Sequence, residues 1–69
     1  MSHPVAQIRQ KLNISQRELA KQLAMHQHLI SCYESWKKHP SVPNAYKIID
    51  FAEKHGLRFN LDDFYIDLR

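Results

Sequence analysis

The chain has 69 residues, 25% of them charged, and a formal net charge of +3. A chain this short buries only about 60% of the surface its unfolded form exposes, so it holds one domain and leaves little room for an enclosed substrate cavity. A binding module is therefore favoured over an enzyme. Cys32 is the single cysteine, which excludes a disulfide within the chain and fits a reducing compartment.

In chain order, the first predicted helix runs from Pro4 to Lys11. Proline suits the first helical position, where a missing N–H costs nothing. Val5, Ile8 and Leu12 recur at helical spacing, and Asn13 can end the helix in a left-handed conformation. The second helix carries the clearest start signal. Ser15 and Glu18 fit the Ser-x-x-Glu capping box, in which each side chain satisfies the other's backbone N–H. Leu19, Ala20 and Leu23 form its inward stripe, while Gln16, Arg17, Lys21 and Gln22 face outward. A three-residue break at Ala24, Met25 and His26 precedes a third helix over Gln27–Ser35, with Ile30 and Tyr33 as core residues. Gln27, His28, Ser31 and Cys32 lie on its other sides, and Gln27 and Ser31 share one face.

The stretch "SWKKHPSVP" reads as a loop broken by Pro40 and Pro43, with Lys37, Lys38 and His39 exposed. A fourth helix is expected from Asn44, as N-cap, to about His55. Ala45, Ile48, Ile49 and Ala52 form its buried stripe, and Gly56 is its stop. The tail "LRFNLDDFYIDLR" supports two readings. Leu61, Phe64, Tyr65 and Leu68 fit a fifth helix capped by Asn60 and Asp63. Leu57, Phe59 and Leu61, then Phe64, Ile66 and Leu68, fit a β-hairpin instead, although a favoured hairpin turn would carry glycine.

No run of about 18 apolar residues is present, as a membrane span would require, and the N-terminus lacks the basic-then-apolar order of a signal peptide. The expected location is cytoplasmic, with no membrane partner. Charge is unevenly spread. Residues 1–56 hold eight Lys/Arg and four Asp/Glu, while residues 57–69 hold Arg58 and Arg69 against Asp62, Asp63 and Asp67. A basic body with a mildly acidic tail suits a polyanion partner.

His26 and His28 invite a metal reading. Two residues apart on a helix, they point about 200° away from each other, whereas helical zinc ligands want i, i+4 spacing. The five histidines are read as scattered surface residues. No metal and no cofactor is expected, and no catalytic residue is assigned.

A capped helix, a three-residue turn and a helix with a polar N-terminal end follow the order of a helix-turn-helix. In that motif the second helix lies in the major groove and its first residues touch base edges. The first helix brings its N-terminal N–H groups near phosphate. Residues 8–56, through "IRQKLNISQRELAKQLAMHQHLISCYES", then "HPS", then "KII", resemble the Cro/C1-type (XRE-like) helix-turn-helix domain of phage repressors.

The resemblance implies an all-α, five-helix lambda-repressor-like fold, with the tail as the fifth helix unless it is a β-hairpin. Residues 1–56 would form the DNA-binding core. Residues 57–69 would close the core and contribute to a dimer interface. Gln27, His28, Ser31 and Cys32 would read bases. Gln27 matches a glutamine that reads adenine, using its amide against N6 and N7. Gln16, Arg17, Trp36, Lys37 and Lys38 would contact phosphate. For Trp36, packing beneath the loop is the competing role. Arg9 and Glu34 would form a structural ion pair between the first and third helices.

The chain departs from the family pattern at four residues and in one spacing. Ala24 stands where glycine is usual, and Trp36 stands near another such position and changes the loop path. His26 replaces a capping Ser or Thr, and Cys32 replaces a commonly long polar residue. From Pro40 to Gly56 the spacing is about one helical turn longer than the family leads one to expect, so the fourth helix or its approach is extended.

The implied function is a sequence-specific transcriptional regulator of phage or prophage type. It would bind a double-stranded DNA operator as a homodimer and repress by occupancy, without a separate effector domain. Two alternatives remain. One is the antitoxin of a toxin–antitoxin pair, whose apolar tail grips a protein. The other is a helix-turn-helix fold used only as a protein-interaction module.

Overall fold

The computed structural model describes residues 2–65. It contains four α-helices, α1 (Pro4–Leu12), α2 (Gln16–Leu23), α3 (Gln27–Glu34) and α4 (Val42–Lys54), followed by a short 3-10 turn (Leu61–Phe64). There is no strand among the described residues. The first strand of the hairpin reading does not form, and where the helical reading begins the described residues make a 3-10 helix over Leu61–Phe64, preceded by the expected Asn60. A single tight turn forms where Asn60 donates its backbone N–H to Asp63 Oδ2 at 2.9 Å. Leu68, which both tail readings used, and Ile66, which the hairpin used, lie outside the described residues together with Asp67 and Arg69.

α3 packs against both α1 and α2, while α4 packs on α2 and on the 3-10 turn. The core is assembled from the stripes that the periodicity marks out. Val5 and Ile8 come from α1, Leu19, Ala20 and Leu23 from α2, Ile30 and Tyr33 from α3, and Ala45, Ile48 and Ala52 from α4. Phe64 joins them from the 3-10 turn, fully buried. Apolar burial at roughly 25 cal/mol per Å² is the main force holding so small a bundle.

α4 begins two residues earlier than expected. Ser41 Oγ, not Asn44, caps it, accepting the Asn44 N–H at 3.3 Å. Pro43 sits inside the first turn, where a missing N–H is harmless, so it does not block the helix. Asn44 turns its side chain inward and donates from Nδ2 to the Tyr33 hydroxyl at 3.1 Å. The N-terminus of α2 also departs in detail from the expected box. Ser15 Oγ accepts the Glu18 N–H at 3.0 Å, but the Glu18 carboxylate takes a bond from Gln22 Nε2, one turn on.

The histidines are not all on the surface. His3 is fully buried and caps α1, its Nδ1 accepting the Val5 N–H at 3.1 Å. Its ring meets Trp36 edge-on at 4.6 Å and Phe64 at 5.5 Å. His39 is half-buried between Trp36 and Tyr65, not exposed in the loop. Tyr65 donates its hydroxyl to the Pro40 carbonyl at 2.6 Å, which fastens the tail to that loop. Burial pushes the Tyr65 phenol above its ordinary range. His55 is exposed and bonds the Phe51 carbonyl through Nδ1.

All four helices stop the same way. Asn13 (φ 56°), Ala24 (φ 56°), Trp36 (φ 62°) and Gly56 (φ 82°) each adopt the left-handed conformation. The next residue then returns its N–H into the last turn: Ile14 to Arg9, Met25 to Ala20, Lys37 to Cys32 and Leu57 to Ala52, all at 2.9–3.1 Å. This closure satisfies carbonyls that a helix end otherwise leaves open. Three of the following residues, Ile14, Met25 and Leu57, are apolar and pack on the core. Lys37 is the exception and is exposed, so the closure of α3 throws the chain outward.

A left-handed conformation is costly for a residue with a Cβ, by roughly 1–2 kcal/mol, although glycine gives part of this back through a freer unfolded chain. Ala24→Gly should therefore stabilise the protein by about 0.5–1 kcal/mol. Urea unfolding followed by circular dichroism measures this, and an unchanged midpoint would show that Ala24 carries no strain.

Candidate nucleic-acid interface

The interface is built from α2, the turn Ala24–His26 and α3. The turn is as short as the sequence suggests, because α2 ends at Leu23 and α3 begins at Gln27. Ala24 supplies the reversal. His26 takes the N-cap position of α3 in an extended conformation but makes no side-chain capping bond. The first N–H groups of α3 are left for other partners.

One carboxylate fixes the relative placement of three helices. Glu34, in the last turn of α3, receives Arg9 Nε at 2.5 Å and the second guanidinium nitrogen at 2.9 Å. Arg9 also donates to the Ile14 carbonyl at 3.2 Å, holding the link between α1 and α2. Gln16 Nε2, at the start of α2, donates to Glu34 Oε1 at 3.1 Å. Burial pushes the Glu34 carboxyl up, but the hydrogen bonds from Arg9 and Gln16 and the Arg9 charge outweigh it, leaving Glu34 below its ordinary range. The hydrogen bond to Glu34 raises the Arg9 guanidinium in turn, despite its partial burial.

The four residues expected to read bases are not equally placed. Gln27 and His28 are exposed, and Ser31 is half-buried. Cys32 is only 9% exposed, which corrects its expected position on an open face. Its Sγ lies 3.6 Å from His28 Nε2, one helical turn away. Among the residues expected on phosphate, Arg17, Lys37 and Lys38 are exposed. Gln16 is half-buried, and its side chain donates to Glu34. The half-buried Trp36 ring lies between His3 and His39, 4.6 and 6.3 Å from their centres. That is the packing role, and the exposed lysines follow immediately along the chain.

Sequence reasoning missed the His28–Cys32 contact, although the i, i+4 spacing that produces it was visible. It also missed His3 as the support beneath Trp36, and there the only local signal was a polar residue before Pro4. Among the described residues, no three His, Cys, Asp or Glu side chains gather where a metal ion could sit. No helix of the described residues is long and apolar enough to cross a membrane.

A helix-turn-helix family model matches residues 5–55, well over half of the chain. The chain belongs to the Cro/C1-type (XRE-like) helix-turn-helix family. This is a family of DNA-binding regulators, generally without enzymatic activity. No curated protein and no solved structure matches the chain. The resemblance seen over residues 8–56 is thus a family relationship. The α2–turn–α3 unit lies within the matched span and has the order of a helix-turn-helix. The matched span takes in α4 to its last turn, so the long helix of 13 residues belongs to the family domain.

Two outcomes test the local architecture. Glu34→Gln should lower the unfolding free energy at pH 7 by about 1–3 kcal/mol. Because the folded carboxyl is held below its ordinary value of 4.5, its contribution is whole above that pH and is lost as pH falls through the folded value. The gap between wild type and variant should therefore close as the solution is acidified below about pH 4.5. A gap that stays constant in urea titrations down to pH 3 would exclude a charged clamp. Separately, His26→Ser should add the missing cap and about 1 kcal/mol of stability, read as a higher denaturation midpoint.

Proposed function

We propose that this protein is a sequence-specific DNA-binding transcriptional repressor of phage or prophage type that acts by occupying an operator. The observation that carries this reading is the exposed pair Gln27 and His28 at the N-terminal end of α3. It is held at a fixed angle to α2 by the Arg9–Glu34–Gln16 clamp and flanked by the exposed cations Arg17, Lys37 and Lys38. In this reading α3 enters the major groove with Gln27 and His28 on base edges. Ser31 reaches the same face more marginally. Gln27 suits adenine, because its amide supplies both the acceptor for N6 and the donor for N7.

The α2 N-terminus meets a phosphate. Glu34 engages one Gln16 amide hydrogen and so fixes the plane of that amide, which keeps its remaining hydrogen for a phosphate oxygen. Lys37 and Lys38 contact the backbone as point charges beyond α3. Trp36 sets the course of that loop from within. Neutralising phosphates releases counterions, so binding weakens steeply with salt. Polymerase is excluded by occupancy alone, and the reading requires no cofactor and no reaction.

Homodimerisation completes the reading, since two half-sites one DNA turn apart, about 34 Å, call for two-fold pairing. Val42 and Tyr46, one turn apart on α4, are large apolar side chains left 49% and 51% exposed. They support a protein–protein contact outside the DNA face, and a toxin would be the partner if the protein is an antitoxin. Light scattering of the protein alone and on a two-half-site duplex distinguishes two copies per operator from one.

On its own operator, found by footprinting its upstream region, Gln27→Ala should lose about 1–3 kcal/mol at one base position. Equal loss on every sequence would remove base reading from the account. Lys37→Ala should weaken all duplexes alike and reduce the slope of log K against log salt by about 1. No binding to any duplex at low salt would favour a protein-interaction module.

A further inference from the structure

Cys32 and His28 form a pair that the base-reading scheme does not explain. The cysteine is 9% exposed, whereas the histidine is exposed. Their polar atoms, Sγ and Nε2, are 3.6 Å apart. A neutral imidazole has one N–H donor and one lone-pair acceptor, and which nitrogen is which follows from the bond the other makes. A thiol sulfur is a weak acceptor, while an imidazole nitrogen lone pair is a good one. The pairing therefore favours S–H donating to Nε2. That places the ring proton on Nδ1.

We propose that Cys32 is a specificity-determining positioning residue. It touches no base itself but holds His28 by Nε2, so that Nδ1–H is the group His28 presents to the major groove. The inference rests on the reading of His28 as a base contact. The two ring nitrogens point in nearly opposite directions. Tying Nε2 to Cys32, toward the C-terminal end of α3, leaves Nδ1 facing away from that end, and in the proposed reading this is the side that meets base edges. A fixed N–H donor accepts purine N7, guanine O6 or thymine O4 as partner. It rejects cytosine, whose major-groove edge offers only the N4 amino donor. Rotation of the exposed side chain is also restricted before binding, which lowers the ordering cost on DNA.

The test combines selectivity with a spectroscopic readout. Wild type, Cys32→Ala, Cys32→Ser and His28→Ala are titrated against four duplexes that differ only at the base pair His28 protects in footprints. Nonspecific DNA is measured alongside. Wild type should disfavour cytosine at that position. Cys32→Ala should lose about fivefold of this discrimination, the share of one hydrogen bond. Cys32→Ser should restore most of it, because a hydroxyl also donates to Nε2. Nitrogen-15 shifts of His28 in the free wild-type protein should show an unprotonated, hydrogen-bonded Nε2 and a protonated Nδ1.

Three results would overturn the proposal. If His28→Ala flattens base preference but Cys32→Ala leaves it intact, Cys32 does not position the ring and this inference fails alone. If the spectrum shows the proton on Nε2, the donor assignment is wrong. If His28→Ala changes no preference at all, His28 is not a base contact and the parent reading of that residue falls too.

Discussion

The arrangement of this domain turns on the carboxylate of Glu34. There α1, through Arg9, and α2, through Gln16, are fastened to the end of α3 by charge-assisted bonds. Arg9 suits this position because its planar guanidinium gives two parallel donors to one carboxylate and a third to the Ile14 carbonyl. A lysine could supply the charge but not the plane. The pair is partly exposed, with side chains 25% and 12% accessible, so solvent screens it and its contribution to stability is moderate. Its larger effect is orientational. Apolar packing brings the three helices together without specifying their angle closely, and the clamp selects one.

Four short helices must reverse direction within few residues, and the chain uses one device each time. A left-handed residue is followed by a backward N–H bond into the last turn. Gly56 meets the requirement without strain, and asparagine tolerates it at position 13. Ala24 and Trp36 do not suit it by intrinsic preference. At Trp36 the indole packs against His3, which is itself buried against Phe64, and that burial offsets the backbone cost. The two ends of the described chain thus meet beneath the loop that carries Lys37 and Lys38. The placement of those cations depends on residues at 3 and 64 that no local pattern connects.

Much of the candidate interface was legible because it rests on local rules. Ser15 with Glu18 marks the start of α2, and the apolar stripe from Leu19 to Leu23 sets its inward face. A three-residue gap then puts Gln27 at the head of the next helix. Ala45, Ile48 and Ala52 of α4 followed from periodicity in the same way, while Ile49 is only partly buried. Its start did not, because Ser41 and Asn44 are both good caps. The choice was made by Tyr33, whose buried hydroxyl takes the Asn44 side chain from a different helix.

The sequence by itself determined the helix-turn-helix order, the identity of the exposed polar residues at the head of α3 and the residues of the central core. These depend on spacing, capping chemistry and hydrophobic period, all of which act within a few turns of chain. Only the tertiary structure decided that His3 is interior, that Cys32 is covered with its Sγ against His28, and that Leu61–Phe64 form a short 3-10 turn. Burial is a property of what the rest of the chain places on top of a residue. The i, i+4 spacing of His28 and Cys32 and the polar residue before Pro4 are local marks of contact and capping, but not of how deeply either residue is covered.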